Sequence, residues 1–153
     1  MKQLIDRYGL APHPEGGYFK EIYRSRQRVR STIVTETRNA LTHIYFLLEK
    51  GQISRFHRVV HDEIWNFYEG DPLQLIQFDA TGIKEETIGP GCEAYVTIVP
   101  GNTWQAAVTT GRYSLVGCTV APGFDFTDFS FLGDTPGELE RFQAEQTQYT
   151  HFL

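Results

Sequence analysis

The sequence predicts an all-β sandwich or barrel with a short helix near each end of the chain. Three observations carry this reading. Strand-like runs follow one another at roughly ten-residue spacing, each bounded by turn residues. Eleven Phe, eight Tyr and two Trp stand in only 153 residues, and flat aromatic side chains suit a pleated surface. Helical spacing of apolar residues is confined to the first ten residues and to the segment after Thr135.

Leu4, Ile5 and Tyr8 fall on one helical face of Met1–Tyr8, and Gly9 follows as a C-cap. Ala11-Pro-His-Pro-Glu-Gly-Gly17 then breaks regular structure, because prolines restrict the chain and glycines free it. Tyr18–Arg24 reads as a strand. Arg24-Ser-Arg-Gln-Arg-Val-Arg30 carries arginine at every second position, so an extended chain would put four guanidinium groups on one face. A solvated loop or edge strand is the plainer expectation, and an anion-facing strip the sharper one. Further strands are expected at Ser31–Arg38, Leu41–Leu48, Ser54–Val60, Glu63–Tyr68, Leu73–Phe78, Ala94–Val99, Trp104–Val108 and Tyr113–Val120. Gly51, Gly70-Asp-Pro, Ala80-Thr-Gly82, Gly89-Pro-Gly91, Pro100-Gly101 and Gly111 separate them. The closing helix begins at Thr135-Pro-Gly-Glu138, with an N-cap candidate, proline at N1 and an acidic residue at N3. No linker, repeat or low-complexity tract divides the chain, and one domain over residues 1–153 is expected. A chain of this length buries roughly 70% of its unfolded surface and needs no disulfide or metal to hold it.

The formal net charge is -5 and the pI about 5.5. Non-specific nucleic-acid binding requires a positive field, so no nucleic-acid partner is expected. Cys92 and Cys118 stand in no metal-ligand spacing and read as reduced thiols. The N-terminus carries Lys2, Asp6 and Arg7 without an apolar run, so no signal peptide is expected, and no stretch approaches the ~20 apolar residues of a membrane span. A cytoplasmic protein with no membrane partner is the expectation. There is no Gly-x-Ser-x-Gly elbow, phosphate loop or dinucleotide fingerprint.

The informative segment runs from Gly51 to Gly70. His57 lies on a strand and, by alternation, shares its face with Arg55 and Val59. A turn at 60–62 brings in the next strand, with Glu63, Trp65 and Phe67 on one face. An imidazole and a carboxyl on adjacent antiparallel strands converge inside a barrel, where they form an acid/base pair or part of a metal site.

This segment resembles the first cupin motif, G-x5-H-x-H-x3,4-E-x6-G, with Gly51, His57, Glu63 and Gly70 at matching positions. Val59 replaces the second histidine. Val99-Pro-Gly101-Asn-Thr-Trp104 resembles the second cupin motif, with Trp104 where its histidine would stand. The usual three-histidine, one-glutamate site is thus reduced to His57 and Glu63, and two ligands make a poor metal site. A wider resemblance covers nearly the whole chain. His13-Pro-Glu-Gly-Gly-Tyr18, Ile44–Leu48, His57 with Asp62–Trp65, Val99–Gln105 and Val120–Phe129 look like the signatures of the cupin-five family, a domain-of-unknown-function family. That resemblance implies a cupin double-stranded β-helix, or jelly-roll barrel, and a homodimer. It leaves the chemistry open, although members have been compared in shape with sugar-nucleotide epimerases and seed storage proteins.

Three functional readings are carried forward. The first is a metal-independent sugar or sugar-nucleotide isomerase or epimerase needing no cofactor. His57 would act as acid or base and Glu63 would tune it. Glu15 and Tyr18 would line the barrel mouth, Asp125 add a polar group to the pocket, Arg55 hold an anionic group, and Trp104 stack on the substrate beside Gln105. The second is a non-catalytic binding protein for a sugar or organic acid. The third is a metal-dependent enzyme with a reduced ligand set. Each residue also has a plain structural role: His57–Glu63 as a buried ion pair, Trp104 and Gln105 as barrel filling, and Arg55 as a partner of Glu63.

Overall fold

The computed structural model describes residues 2–153; Met1, the first residue of the expected N-terminal helix, lies outside them. Helix α1 (Lys2–Tyr8) leads through a short β1 (Ala11–Pro12) and a tight loop at residues 13–17 into β2 (Tyr18–Arg24). The arginine-rich segment turns instead of extending. Arg24 closes β2, while Arg28–Arg30 forms β3 and pairs with β4 (Thr37–Asn39) as a separate hairpin. The four arginines therefore do not form one extended strip, although Arg24 and Arg28 both donate to Asn39 Oδ1. The expected strand over Ser31–Arg38 is a series of bends at 32–36 before β4. Ser31 explains this locally: its hydroxyl accepts the backbone N–H groups of Ile33 and Val34, offering the chain a turn in place of a ladder.

The middle of the chain follows the expected runs: β5 (Thr42–Glu49), β6 (Ile53–Val59), β7 (Asp62–Gly70) and β8 (Leu73–Asp79). An unexpected strand, β9 (Gly82–Ile88), completes a hairpin with β8. Its Lys84, Glu85 and Thr87 face solvent, as befits a charged sheet edge. Then come β10 (Val96–Val99), β11 (Trp104–Thr109), β12 (Tyr113–Ala121), β13 (Phe129–Phe131) and helix α2 (Pro136–Glu145). Thr135 precedes α2 as expected, but its hydroxyl donates to the Phe131 carbonyl and does not cap the helix.

Two antiparallel sheets form the jelly roll. One has the order β1-β2-β5-β12-β7-β10 and the other β13-β6-β11-β8-β9. Between them lies a core of Phe46, Leu48, Trp65, Leu73, Leu75 and Val116. The outer face of the five-stranded sheet is covered by α2 and the C-terminal segment, whose Phe142 and Phe152 pack on Phe56, Ile76 and Trp104. Helix α1 covers one end of the six-stranded sheet, over Leu47 and Leu115. No helix among the described residues is long and apolar enough to cross a membrane. Both cysteines are free.

Register decides which side chains reach the interior. In β11, Trp104 pairs with Phe78 and Gln105 with Gln77, so alternation sends Trp104 outward and Gln105 inward. In β6 a bulge interrupts the alternation: two residues, Arg55 and Phe56, oppose the single Ala106. Ser54, His57 and Val59 all turn inward, while Arg55 is exposed.

Candidate active site

The two sheets leave a cavity of about 90 Å³ at one end of the barrel. His57 on β6, Glu63 on β7 and Cys118 on β12 reach it, together with His13 and Glu15 from the loop before β2. That loop is held tightly against the barrel. Gly16 sits at φ +116°, and a Cβ there would lie 2.0 Å from the Ile53 carbonyl oxygen. Only glycine permits both this conformation and this approach. The Glu15 carbonyl accepts the N–H of Arg55 at 2.9 Å, so the loop docks onto the bulge that turns His57 inward.

Glu15 is the hub of the polar end. Its Oε1 accepts the Ser54 hydroxyl at 2.8 Å. Its Oε2 lies 3.2 Å from His57 Nε2 and 3.4 Å from His13 Nδ1. The histidine tautomers follow from their other partners. His57 Nδ1 lies 2.8 Å from the Arg55 carbonyl, which only accepts, so Nδ1 carries a proton and donates. His13 Nδ1 accepts the Glu15 N–H at 3.3 Å and therefore carries none. The neutral His57 imidazole thus turns its Nε2 lone pair toward Glu15 Oε2, and a proton is needed between them. Burial pushes the Glu15 carboxyl up and both imidazoles down, and Glu15 and His57 share that proton.

Glu63 faces a different arrangement. Trp65 Nε1 donates to Gln105 Oε1 at 2.9 Å, and an indole nitrogen only donates. The Gln105 amide is thereby fixed with its NH2 toward Glu63 Oε2, at 2.6 Å. The Cys118 thiol lies next to Glu63, and burial raises that thiol well above its ordinary range. Burial, with the neighbouring Glu15 carboxyl adding to it, lifts Glu63 to about 7; His57, Gln105 and Cys118 act in the opposite direction. With Oε2 held by Gln105, Oε1 is the oxygen free to gain or lose a proton. Two carboxyl groups that share a water-poor cavity and differ in surroundings form a pair suited to acid–base work near neutrality.

The remaining walls are apolar. Phe19, Ile44, Val59 and Val120 line the sides, and Phe124, Phe126 and Phe129 the mouth, with Phe129 stacked on the His57 ring at 5.3 Å. Arg24 also lines the mouth, paired with Glu21 at 2.9 and 2.6 Å.

Of the residues singled out in the sequence, His57, Glu63 and Gln105 meet here. Tyr18 does not: it packs toward Leu10, Leu47 and Leu115 under α1, and its neighbour Phe19 takes the inward position. Arg55 lies outside the cavity, its guanidinium 4.4 Å from the Phe131 ring and donating to the Pro14 carbonyl. The bulge separates it from the face of His57. Trp104 also lies outside. Its indole N–H donates to Glu138 on α2, and Arg58 covers its ring at 4.3 Å. Asp125 caps the turn at Phe126–Asp128 by accepting from the Thr127 N–H and hydroxyl, so it positions the aromatic mouth without lining the cavity. His13, Cys118 and the phenylalanine walls were not assigned from sequence, and Glu15 only as a residue of the barrel mouth.

A metal held through His57 and Glu63 lacks the donors it needs. Val59 stands beside His57 and Trp104 points out of the barrel. Among the described residues no three His, Cys, Asp or Glu side chains are grouped so as to hold a metal ion.

The chain matches the family described as Cupin superfamily (DUF985) over residues 2–132. It is 29% identical over 150 residues to an uncharacterized Saccharomyces cerevisiae protein, YML079W, an alignment covering 86% of this chain and 75% of the yeast protein. It is similar to the solved structure of a hypothetical protein from Leishmania major, with 31% identity, a TM-score of 0.84 and 97% of each chain covered. KdgF from Halomonas sp. shares the fold at 16% identity and a TM-score of 0.57, over 80% of this chain and 94% of KdgF.

Proposed function

Because the chain belongs to the DUF985 family of the cupin superfamily, and its barrel carries Glu15, His57 and Glu63 around one small cavity, we propose that it is a metal-independent enzyme that moves a proton on a small carbonyl compound, isomerising or epimerising it. The carrying observation is the asymmetry between the two carboxyl groups. Glu63, held by Gln105, exchanges its proton near pH 7 and serves as the base. Glu15 Oε2 and His57 Nε2 share one proton, so this couple serves as the acid. A base is most effective when its pKa lies near the working pH. The aromatic walls exclude water and strengthen both interactions.

Abstraction of a hydrogen beside a carbonyl by Glu63 sends electron density to the carbonyl oxygen, which takes a hydrogen bond or proton from the Glu15–His57 couple. Return of the proton to the other face of the same carbon gives an epimer; in an α-hydroxy carbonyl compound, return to the former carbonyl carbon, with the α-hydroxyl passing its proton back to the Glu15–His57 couple, gives an isomer. Proton NMR in D2O over a panel of aldoses, ketoses, hydroxy acids and simple ketones tests this. Wild-type protein is expected to wash deuterium into the position beside the carbonyl of at least one compound. His57→Gln and Glu63→Gln are expected to lose at least 100-fold of that rate while keeping the circular dichroism of the fold. Undiminished exchange in both variants would overturn the assignment. Recovery of a stabilising ligand without any exchange would favour a binding protein.

A further inference from the structure

We infer that the cavity takes a compact, uncharged carbonyl compound with a hydrocarbon flank, entering carbonyl first; this rests on the proton-transfer reading and adds the charge and polarity of the ligand. Size is the first argument. A dry cavity of roughly 150 Å³ admits benzene, so about 90 Å³ encloses only about four non-hydrogen atoms on that scale. The rest of a ligand must lie along the mouth, where Phe124 and Phe126 stand. Phe126 is 58% exposed, an apolar ring left open to solvent at the entrance.

Charge is the second argument. An anionic ligand needs a cation that is not already neutralised. Arg24 is the one arginine on the cavity wall; four of its five N–H donors are taken, and its charge is met by the Glu21 carboxylate. Nε and Nη2 go to the Glu21 carboxylate, and Nη1 to Asn39 Oδ1 at 3.2 Å and to the Phe124 carbonyl at 3.0 Å. Arg55 points away over Phe131. Deeper in, a phosphate or carboxylate would meet two carboxyl groups. The nucleotide portion of a sugar nucleotide has neither room nor counter-charge.

Polarity is the third. Apart from Thr42, whose hydroxyl accepts the Phe124 N–H, and the Glu21–Arg24 pair at the mouth, the hydrogen-bonding groups are gathered at the inner end, around Glu15, His57 and Glu63, and the rest of the wall is hydrocarbon. A polyhydroxylated chain would leave hydroxyl groups unpaired against those walls, each costing on the order of 1–3 kcal/mol. A ketone with an alkyl flank has one acceptor for the proton of the Glu15–His57 couple and nothing else to satisfy.

Calorimetry and ligand-observed NMR with three probes test the inference: 3-methyl-2-butanone and isobutyrate, which match in size, and the larger glyceraldehyde 3-phosphate. The ketone is expected to bind at least tenfold tighter than either anion. A second arm uses Glu21→Gln, an exposed substitution that frees Arg24; there isobutyrate is expected to gain at least threefold in affinity. Tighter binding of either anion to the wild type, or no gain in Glu21→Gln, would overturn the inference. The two readings fail separately. Deuterium wash-in on glyceraldehyde 3-phosphate, with the ketone unbound, keeps proton transfer and removes this ligand class. Selective binding of the ketone with no exchange on any compound keeps the ligand class and removes catalysis.

Discussion

Glu63 is the residue on which burial and chemistry pull hardest against each other. It is 6% exposed and titrates near 7 in the folded protein, against an ordinary value of 4.5. Between those values the unfolded chain has released a proton that the folded chain retains. Stability from this group is therefore present below about pH 4.5, declines as pH rises toward 7, and stays low above it. At 1.36 kcal/mol per pH unit the loss amounts to about 3 kcal/mol. Glu63→Gln keeps the bond from the Gln105 amide and removes the titration, so it is expected to raise stability at pH 8 by up to about 3 kcal/mol and to leave it nearly unchanged at pH 4.5. Urea unfolding of both proteins at the two pH values measures this; an equal effect at both would show that Glu63 titrates normally. A stabilising substitution at a group needed for activity is the usual mark of a functional site. Sequence spacing pointed to His57 and Glu63, framed by the matching glycines, and both line the cavity, although from opposite sheets and not from adjacent strands. It paired them with each other, whereas the short contact of His57 is to Glu15, 42 residues earlier in the chain. Local spacing carries no information about a contact of that kind.

At the level of elements, the sequence readings failed where alternation failed. Strict period-two reasoning put Arg55 beside His57, and the bulge at Arg55–Phe56 moved it out. The same reasoning, applied to Trp104 and Gln105, excludes both from one face, and the structure sends the indole to α2. Strand β9 was missed because Lys84-Glu-Glu-Thr87 is polar, which an edge strand tolerates and a pattern search discards. The loop at residues 13–17 was legible as a conformational device from its prolines and glycines. Its reach into the barrel was not. Gly16 tests that reach. An alanine methyl would sit at φ +116° and collide with the Ile53 carbonyl, so Gly16→Ala is expected to cost about 3 kcal/mol or more by strain and overlap. It is also expected to displace Glu15 and with it the acid of the site. Gly133→Ala, whose added Cβ meets nothing within 4 Å, serves as the control in the same denaturation experiment. Equal stability of the two variants would mean that the loop is not held as described.

The whole molecule leaves one large surface without a covering element. The six-stranded sheet has α1 over one end only. Beyond it, Tyr68, Val96 and Ile98 are 47%, 49% and 56% exposed, and Tyr95 beside them 54%. Val96 pairs with Asn66 and Ile98 with Ile64, so these side chains share the outer face of β7 and β10. Strand β10 is the last strand of its sheet, and its outer edge is met by Gln77 and Glu86 of the other sheet, which bond the Ile98 carbonyl and the Thr97 hydroxyl. An uncovered apolar face invites either aggregation or a specific partner. A second copy fits, because two such faces meet about a two-fold axis and each apolar strip covers the other. The resemblance of the five motifs led to the same expectation of a homodimer, without locating the contact. Sedimentation at micromolar concentration is expected to show a dimer for the wild type and a monomer for the double variant Val96→Lys, Ile98→Lys. The cavity opens among Phe124, Phe126 and Arg24, none of them on β7 or β10, so the monomeric variant is expected to retain ligand binding. A wild-type monomer would remove the homodimer. A double variant that stays dimeric would move the interface to another face of the barrel.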